Sequence, residues 1–180
     1  ITTGLVGSEM CIRDSVCSVA RSTLITGMNA PTLGLHNRRS SVGVPAAVVS
    51  YPQLFRQAGY YCTNNSKTDY NMSINGRRAG WKDVGWHASG KKAHYRNRKK
   101  GQPFFAVFNT TLSHEGQTTD QAYGGRKASN PSQRILPPGQ VPLGVIAPFH
   151  PDTPEIRENW SRYYDNCHLM DKWVGEQLRE

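Results

Sequence analysis

Cys17 is followed four residues later by Arg21, in the run Cys17-Ser18-Val19-Ala20-Arg21-Ser22-Thr23-Leu24-Ile25-Thr26-Gly27. A cysteine at a helix start sits where partial positive charge and free N–H groups favour an anion. An arginine one turn on lies on the same face. Its rigid fork adds positive charge and can hold a neighbouring oxygen group in place. Lys67 lies in a polar run, residues 64–70, after a strand-like segment, and offers a point charge to anionic oxygens. Asp69 follows two residues on, either as a substrate-binding group or as a turn or cap residue. His114 lies in a second polar run, residues 110–116, where it can bind an anion or protonate a leaving oxygen. These types make a nucleophile, two cations and an acid, a set suited to an anionic substrate.

The charge balance agrees. The 180 residues carry 22 basic and 13 acidic side chains, net +9, which favours nucleic acid, anionic lipid or an anionic small substrate without choosing among them. The length is that of one domain. No apolar run approaches the roughly 18 residues of a membrane-spanning helix, and no signal peptide is visible. The cysteines at 11, 17, 62 and 167 form no Cys-x-x-Cys pair, so a zinc ribbon or thioredoxin-like site has no support. A competing reading takes the basic run 91–100, with Tyr95 and Trp86, as a module that binds nucleic acid or another polyanion without catalysis. No nucleic-acid-binding motif accompanies it.

The elements that must position these residues are short. Residues 17–27 read as a helix with Ser18 as cap, an apolar stripe of Ala20, Leu24 and Ile25, and Gly27 as the left-handed stop. Residues 51–59 read as a helix with Pro52 in its first turn, Leu54, Phe55 and Ala58 on one face, and Gly59 ending it. Residues 60–63 and 104–109 read as strands, the second too apolar to alternate and so buried. Polar loops follow both strands, where α/β folds place chemistry. Ile156, Trp160, Tyr163, Cys167, Met170, Val174 and Leu178 recur at helical spacing and predict a long amphipathic helix. Residues 124–154 are rich in Pro and Gly and read as loop. Residues 1–15 read as disordered or foreign to the domain, which then occupies 16–180. The order predicts an α/β fold with a partly parallel sheet, too thin to be complete.

The run from Cys17 to Gly27 resembles the signature of the type I sulfatases, Cys-x-(Pro or Ala)-(Ser or Ala)-Arg followed by Leu-x-Thr-Gly. Ala58-Gly59-Tyr60-Tyr61 with Thr63-Asn64-Asn65-Ser66-Lys67 resembles the second signature of that family. Pro103-Phe104-Phe105-Ala106-Val107 with His114 resembles the strand and loop bearing its substrate-site histidine. Tyr163-Tyr164-Asp165, Met170-Asp171 and Val174-Gly175 resemble the helix that follows. Asn64-Asn65-Ser66-Lys67 with Asp69-Tyr70-Asn71, and Tyr95-Arg96-Asn97-Arg98-Lys99, resemble its heparan N-sulfatase-like bacterial branch.

The resemblance implies an alkaline-phosphatase-like sulfatase domain, with a mixed or parallel sheet flanked by helices, incomplete in this chain. It implies hydrolysis of a sulfate ester or N-sulfate, on a sulfated small molecule or glycan. Cys17 would be oxidised to formylglycine by a maturation enzyme. The formylglycine diol would attack sulfur, and calcium, with Cys17 as formylglycine among its ligands, would act as Lewis acid. Arg21 would hold the diol, and Lys67, His114 and Asp69 would bind the sulfate. The parent enzyme would be periplasmic or secreted, with no nucleic-acid partner and no membrane span. Val19 departs from the signature and predicts poorer recognition by the maturation enzyme. Asp69 stands where the family has a histidine. No counterpart of the family's metal-binding Asp pair precedes Cys17, and its later ligands would lie past Glu180, so an incomplete metal site is expected.

Overall fold

The computed structural model describes residues 16–123, 141 and 146–179. The chain divides into two compact units, Ile1–Asn109 and Thr110–Glu180. The sequence readings of residues 1–15 and of 124–140 lie outside the described residues.

The first unit opens on α1 (Cys17–Thr26) and a 3-10 turn (Ala30–Leu33). Gly27 ends α1 at φ +68°, its N–H donating to Thr23 O at 2.8 Å, as its type predicts. The start differs from expectation. Val16 is the N-cap and has no side-chain acceptor, whereas Ser18 lies inside the helix, buried, with its Oγ unpartnered. The buried face is Ser18, Val19, Ser22 and Ile25, and Leu24 is half exposed. The reason is Ser22. Its hydroxyl donates to Ser18 O at 3.0 Å and accepts the Asn71 N–H at 2.6 Å. The hydroxyl face therefore gives the Asn71 loop a hydrogen-bond partner, which Ala20 and Leu24 could not.

Next comes α2 (Tyr51–Gln57), with Pro52 in its first turn. Gln53 Oε1 accepts the Ser50 N–H at 3.1 Å, and Gly59, at φ +87°, closes the turn after the helix. Tyr51, Pro52 and Phe55 face inward, while Leu54 and Ala58 face water. Then β1 (Tyr61–Asn65) runs to the hairpin of β2 (Ser73–Ile74) and β3 (Arg77–Arg78). Asn75 and Gly76, at φ +52° and +74°, form its two-residue turn, the left-handed pair that such a hairpin needs. Arg77 forks onto Asp83 at 2.8 and 2.6 Å. Burial raises the Asp83 carboxyl, but the Gly80 N–H and the Arg77 guanidinium outweigh it and hold it below its ordinary value.

The remaining strands are β4 (Ala88–Ser89) and β5 (Phe104–Phe108), separated by a 3-10 turn (Tyr95–Asn97). The sheet order is β4-β1-β5, parallel throughout, with Tyr61 opposite Phe104 and Asn65 opposite Phe108. A parallel sheet was expected; the two-residue β4 carries too little pattern to announce itself. β5 is not buried on both faces, and Phe104 is half exposed. It lies at a sheet edge, where Tyr95 stacks on Phe104 at 4.4 Å and stands in for a neighbouring strand. The core joins Ile25 and Leu35 to Cys62, Tyr70, Met72 and Trp86. Phe55 and Phe105 stack beside it at 4.5 Å.

The second unit holds a 3-10 turn (Glu115–Thr118) and α3 (Pro154–Arg179). The helix is where its spacing predicts, but the predicted apolar stripe is not its buried face. Ser161, Asp165 and Asn166 are buried, while Tyr163, Val174 and Leu178 are exposed. Polar anchors set this. Tyr123 donates its hydroxyl to Asp165, and Arg162 bonds Asp120 at 2.5 Å and Thr118 O at 3.0 Å. Among the described residues no helix is long and apolar enough to cross a membrane.

Candidate active site

The first unit brings Cys17, Arg21, Lys67 and Asp69 together at the carboxyl end of its parallel strands. Cys17 is the first residue of α1, with an exposed, free thiol. Val16 offers no side-chain cap, so among the described residues no capping side chain takes up the N–H groups of the first turn. The Cys17 thiol donates to Asp69 Oδ2 at 3.5 Å.

Arg21 projects one turn further along α1 and spends its fork on the neighbouring loop. Its Nε donates to Thr68 O at 3.1 Å, Nη1 donates to Asn109 Oδ1 at 3.0 Å, and Nη2 donates to Lys67 O. A guanidinium with fixed donors suits this clamp, which an ammonium could not make. The loop it clamps is bent against preference. Ser66 at φ +100° and Asp69 at φ +35° bracket Lys67 in conformations that favour glycine. Such strain persists only where surroundings over-determine it, and it clusters at binding sites. Among the described residues the Lys67 ammonium has no hydrogen-bond or ion-pair partner.

Two asparagines to which the sequence reading gave no role in the site, Asn64 and Asn109, hold it together. Asn64, in β1 and fully buried, donates to Lys67 O at 3.0 Å and to Ser89 Oγ at 3.1 Å. Its Oδ1 accepts from Asn109 Nδ2 at 2.9 Å, and Asn109 in turn accepts from Arg21. A third, Asn71, is buried and bonds Ser40 N, Leu35 O and Asn37 O. One signal was available. Asn64 and Asn109 both stand where a predicted strand gives way to a polar run, so a parallel sheet sets them side by side.

Behind Arg21, Tyr70 accepts the Trp86 indole N–H at 2.7 Å. Burial pushes the Tyr70 hydroxyl above its ordinary pKa, opposed by that N–H and by Arg21. Burial likewise pushes Tyr51 up to about 12. These phenols stay neutral and wall the site. Trp86 is thus a core residue and offers no surface for a nucleic-acid base. Tyr95, stacked on Phe104 and within reach of the guanidinium groups of Arg96 and Arg98, is also engaged within the chain.

His114 lies in the second unit as N-cap of the turn Glu115–Thr118, and its Nδ1 accepts the Gly116 N–H at 3.1 Å. Among the described residues no three His, Cys, Asp or Glu side chains are grouped to hold a metal. Asp69, the carboxylate beside Cys17, is paired with a cation, since Arg78 Nη2 donates to its Oδ1 at 2.7 Å. The described residues do not by themselves fit calcium.

No family model and no solved structure matches the chain significantly. Among curated proteins, the "Ulvan-active sulfatase" of Formosa agariphila is 30% identical to it over 213 aligned residues. That alignment takes in 98% of this chain and 35% of that protein. The likeness is therefore to a sulfatase, over nearly all of this chain and about a third of the relative's length.

Proposed function

We propose that this chain is part of a type I sulfatase, a sulfuric ester or N-sulfate hydrolase with an alkaline-phosphatase-like fold. The observation that carries the reading is the meeting of Cys17, at an uncapped helix start, with the clamped loop of Lys67 at the carboxyl end of a parallel sheet. The sulfatase likeness supports it, as does the net charge of +9. The heparan N-sulfatase-like branch, export of the parent protein and a sulfated-glycan substrate rest on resemblance.

A sulfate ester resists attack because its oxygens repel nucleophiles. Cys17 is exposed, so a maturation enzyme can reach it. Oxidised to formylglycine, this position would supply a hydrated aldehyde as nucleophile toward sulfur. The first N–H groups of α1 and the Lys67 ammonium would draw the sulfate oxygens and screen their charge. Arg21 acts in this proposal through the loop: it fixes the carbonyls of Lys67 and Thr68 and thereby the lysine's approach. Its positive charge adds to the field. Proton delivery to the leaving oxygen by His114 rests on the family resemblance alone. With Nδ1 accepting from Gly116, Nε2 is the ring nitrogen left to carry the proton. Calcium is implied by the family, and its ligands would have to come from beyond the described residues.

The reading is tested by co-expressing the chain with the maturation enzyme and weighing the tryptic peptide 14–21. A peptide lighter by the change from CH2SH to CHO is expected. An unmodified thiol, together with inorganic sulfate binding that survives Lys67→Ala, would overturn it. The polyanion-module reading expects instead steep, salt-dependent DNA binding that ignores both residues.

A further inference from the structure

The hairpin β2–β3 places two arginines side by side, and they are used differently. Successive strand residues face opposite ways. Arg77 forks onto Asp83 with both terminal nitrogens, away from Cys17, and Asp83 also accepts the Gly80 N–H at 2.8 Å, so this pair braces the hairpin. Arg78 faces the site. It makes one side-chain hydrogen bond, to Asp69 Oδ1 at 2.7 Å, and its side chain is 51% exposed. The other oxygen of that carboxylate accepts from Cys17. A single carboxylate therefore separates the Arg78 guanidinium from the candidate nucleophile position. Asp69 holds this place in a left-handed conformation.

The mounting is stiff. The Asn75-Gly76 turn fixes the register, with Ser73 opposite Arg78. Ser73 N donates to Val42 O at 2.8 Å, and Ala79 N donates to Met72 O at 2.9 Å, tying the hairpin base to a neighbouring loop and to the buried Met72. An arginine has five donors in a planar fork matched to carboxylate and sulfate oxygens. Arg78 uses one of them.

We infer that Arg78 forms a second anion subsite beside Cys17, which makes the site prefer substrates carrying another anionic group next to the sulfate to be cleaved. The inference rests on the sulfatase reading and deepens it. A lone exposed ion pair is the plain alternative. Exposed pairs contribute little to stability, so Arg78→Ala should fold as the parent does. A second sulfate or a carboxylate on the same sugar would take the free face of the fork while Asp69 keeps its single bond. Inorganic sulfate, or a sugar with one sulfate and no other charge, would gain nothing from Arg78.

The test is calorimetric titration of the whole chain, in dilute buffer, with four probes: inorganic sulfate, a monosulfated glucose, a disulfated glucose and a sulfated glucuronic acid. Both two-anion sugars should bind about tenfold more tightly than the monosulfate, the scale of one charge-assisted hydrogen bond. Arg78→Ala should erase that advantage and leave monosulfate binding within about twofold, while Arg78→Lys restores part of it. The two sugars tell a second sulfate from a carboxylate. An equal advantage in parent and Arg78→Ala, or no advantage in the parent, overturns the inference while leaving the sulfatase reading intact. Failure of inorganic sulfate and monosulfate to bind, or binding untouched by Lys67→Ala, removes the sulfatase reading and this inference with it. A thermal melt of each variant separates lost binding from lost fold.

Discussion

Arg21 Nη1 donates to Asn109 Oδ1 at 3.0 Å, tying α1 to the residue that follows β5. Through Asn109 and Asn64 the tie reaches β1, and through Lys67 O both Arg21 and Asn64 hold the same loop. The candidate site is thus a closed polar network around half-buried groups. Such networks are cooperative, because removing one partner strands the others away from water.

Arg21→Met should destabilise the unit by about 2 kcal/mol or more, since the carbonyls of Lys67 and Thr68 lose charged donors. Asn109→Ala should cost less. The double variant should be non-additive by about 0.5 kcal/mol or more, as expected for residues of one network. Urea unfolding of the four proteins measures it. Additivity would mean that the two side chains act independently.

Ser66→Gly should stabilise the chain by about 1 kcal/mol, because φ +100° is strained for serine and free for glycine. Asp69→Gly relieves similar strain but also removes the contacts to Cys17 and Arg78. It should gain less than Ser66→Gly in the same urea titration. Equal gains would mean that the carboxylate holds nothing.

His87 Nδ1 accepts the Cys62 N–H at 3.0 Å, and its ring stacks on Tyr61 at 5.1 Å. Loss of water around the ring, with help from Arg56, lowers its pKa from 6.5. The folded state therefore favours the neutral ring. The stability this contributes is full above 6.5 and is lost as pH falls through the lowered folded value. Melting curves from pH 7.5 down to 4.5 should show a fall that is absent in His87→Asn, which keeps an acceptor but cannot titrate. The same fall in both proteins would assign it to another group.

Gly85 and Gly27 both have positive φ, yet substitution should separate them. A Cβ at Gly85 would lie 2.5 Å from Gln53 Cγ and 3.0 Å from Gln53 N, against the start of α2. A Cβ at Gly27 meets nothing within 4 Å. Gly27→Ala should therefore cost about 1 kcal/mol, the left-handed penalty alone. Gly85→Ala should cost well over that, through displaced backbone. Similar melting temperatures for the two variants would contradict this.

What the sequence determined by itself was local. The left-handed stop at Gly27 and the helices follow from residue type and spacing, because backbone preferences act over a few residues. It also set Cys17 and Arg21 one turn apart, since helical pitch alone does that. The tertiary structure decided which faces are buried and what touches what. The apolar stripe of α3 gave way to Ser161, Asp165 and Asn166, and the face of α1 fell to Ser22, because a distant hydrogen-bond partner can outweigh a nearby methyl group. The roles of Asn64 and Asn109 arise only when β1 and β5 lie parallel and in register, which neither strand specifies alone. The Asp69 link between Cys17 and Arg78 likewise joins residues 52 and 9 positions apart in sequence. No local preference carries such pairings; the packed core imposes them.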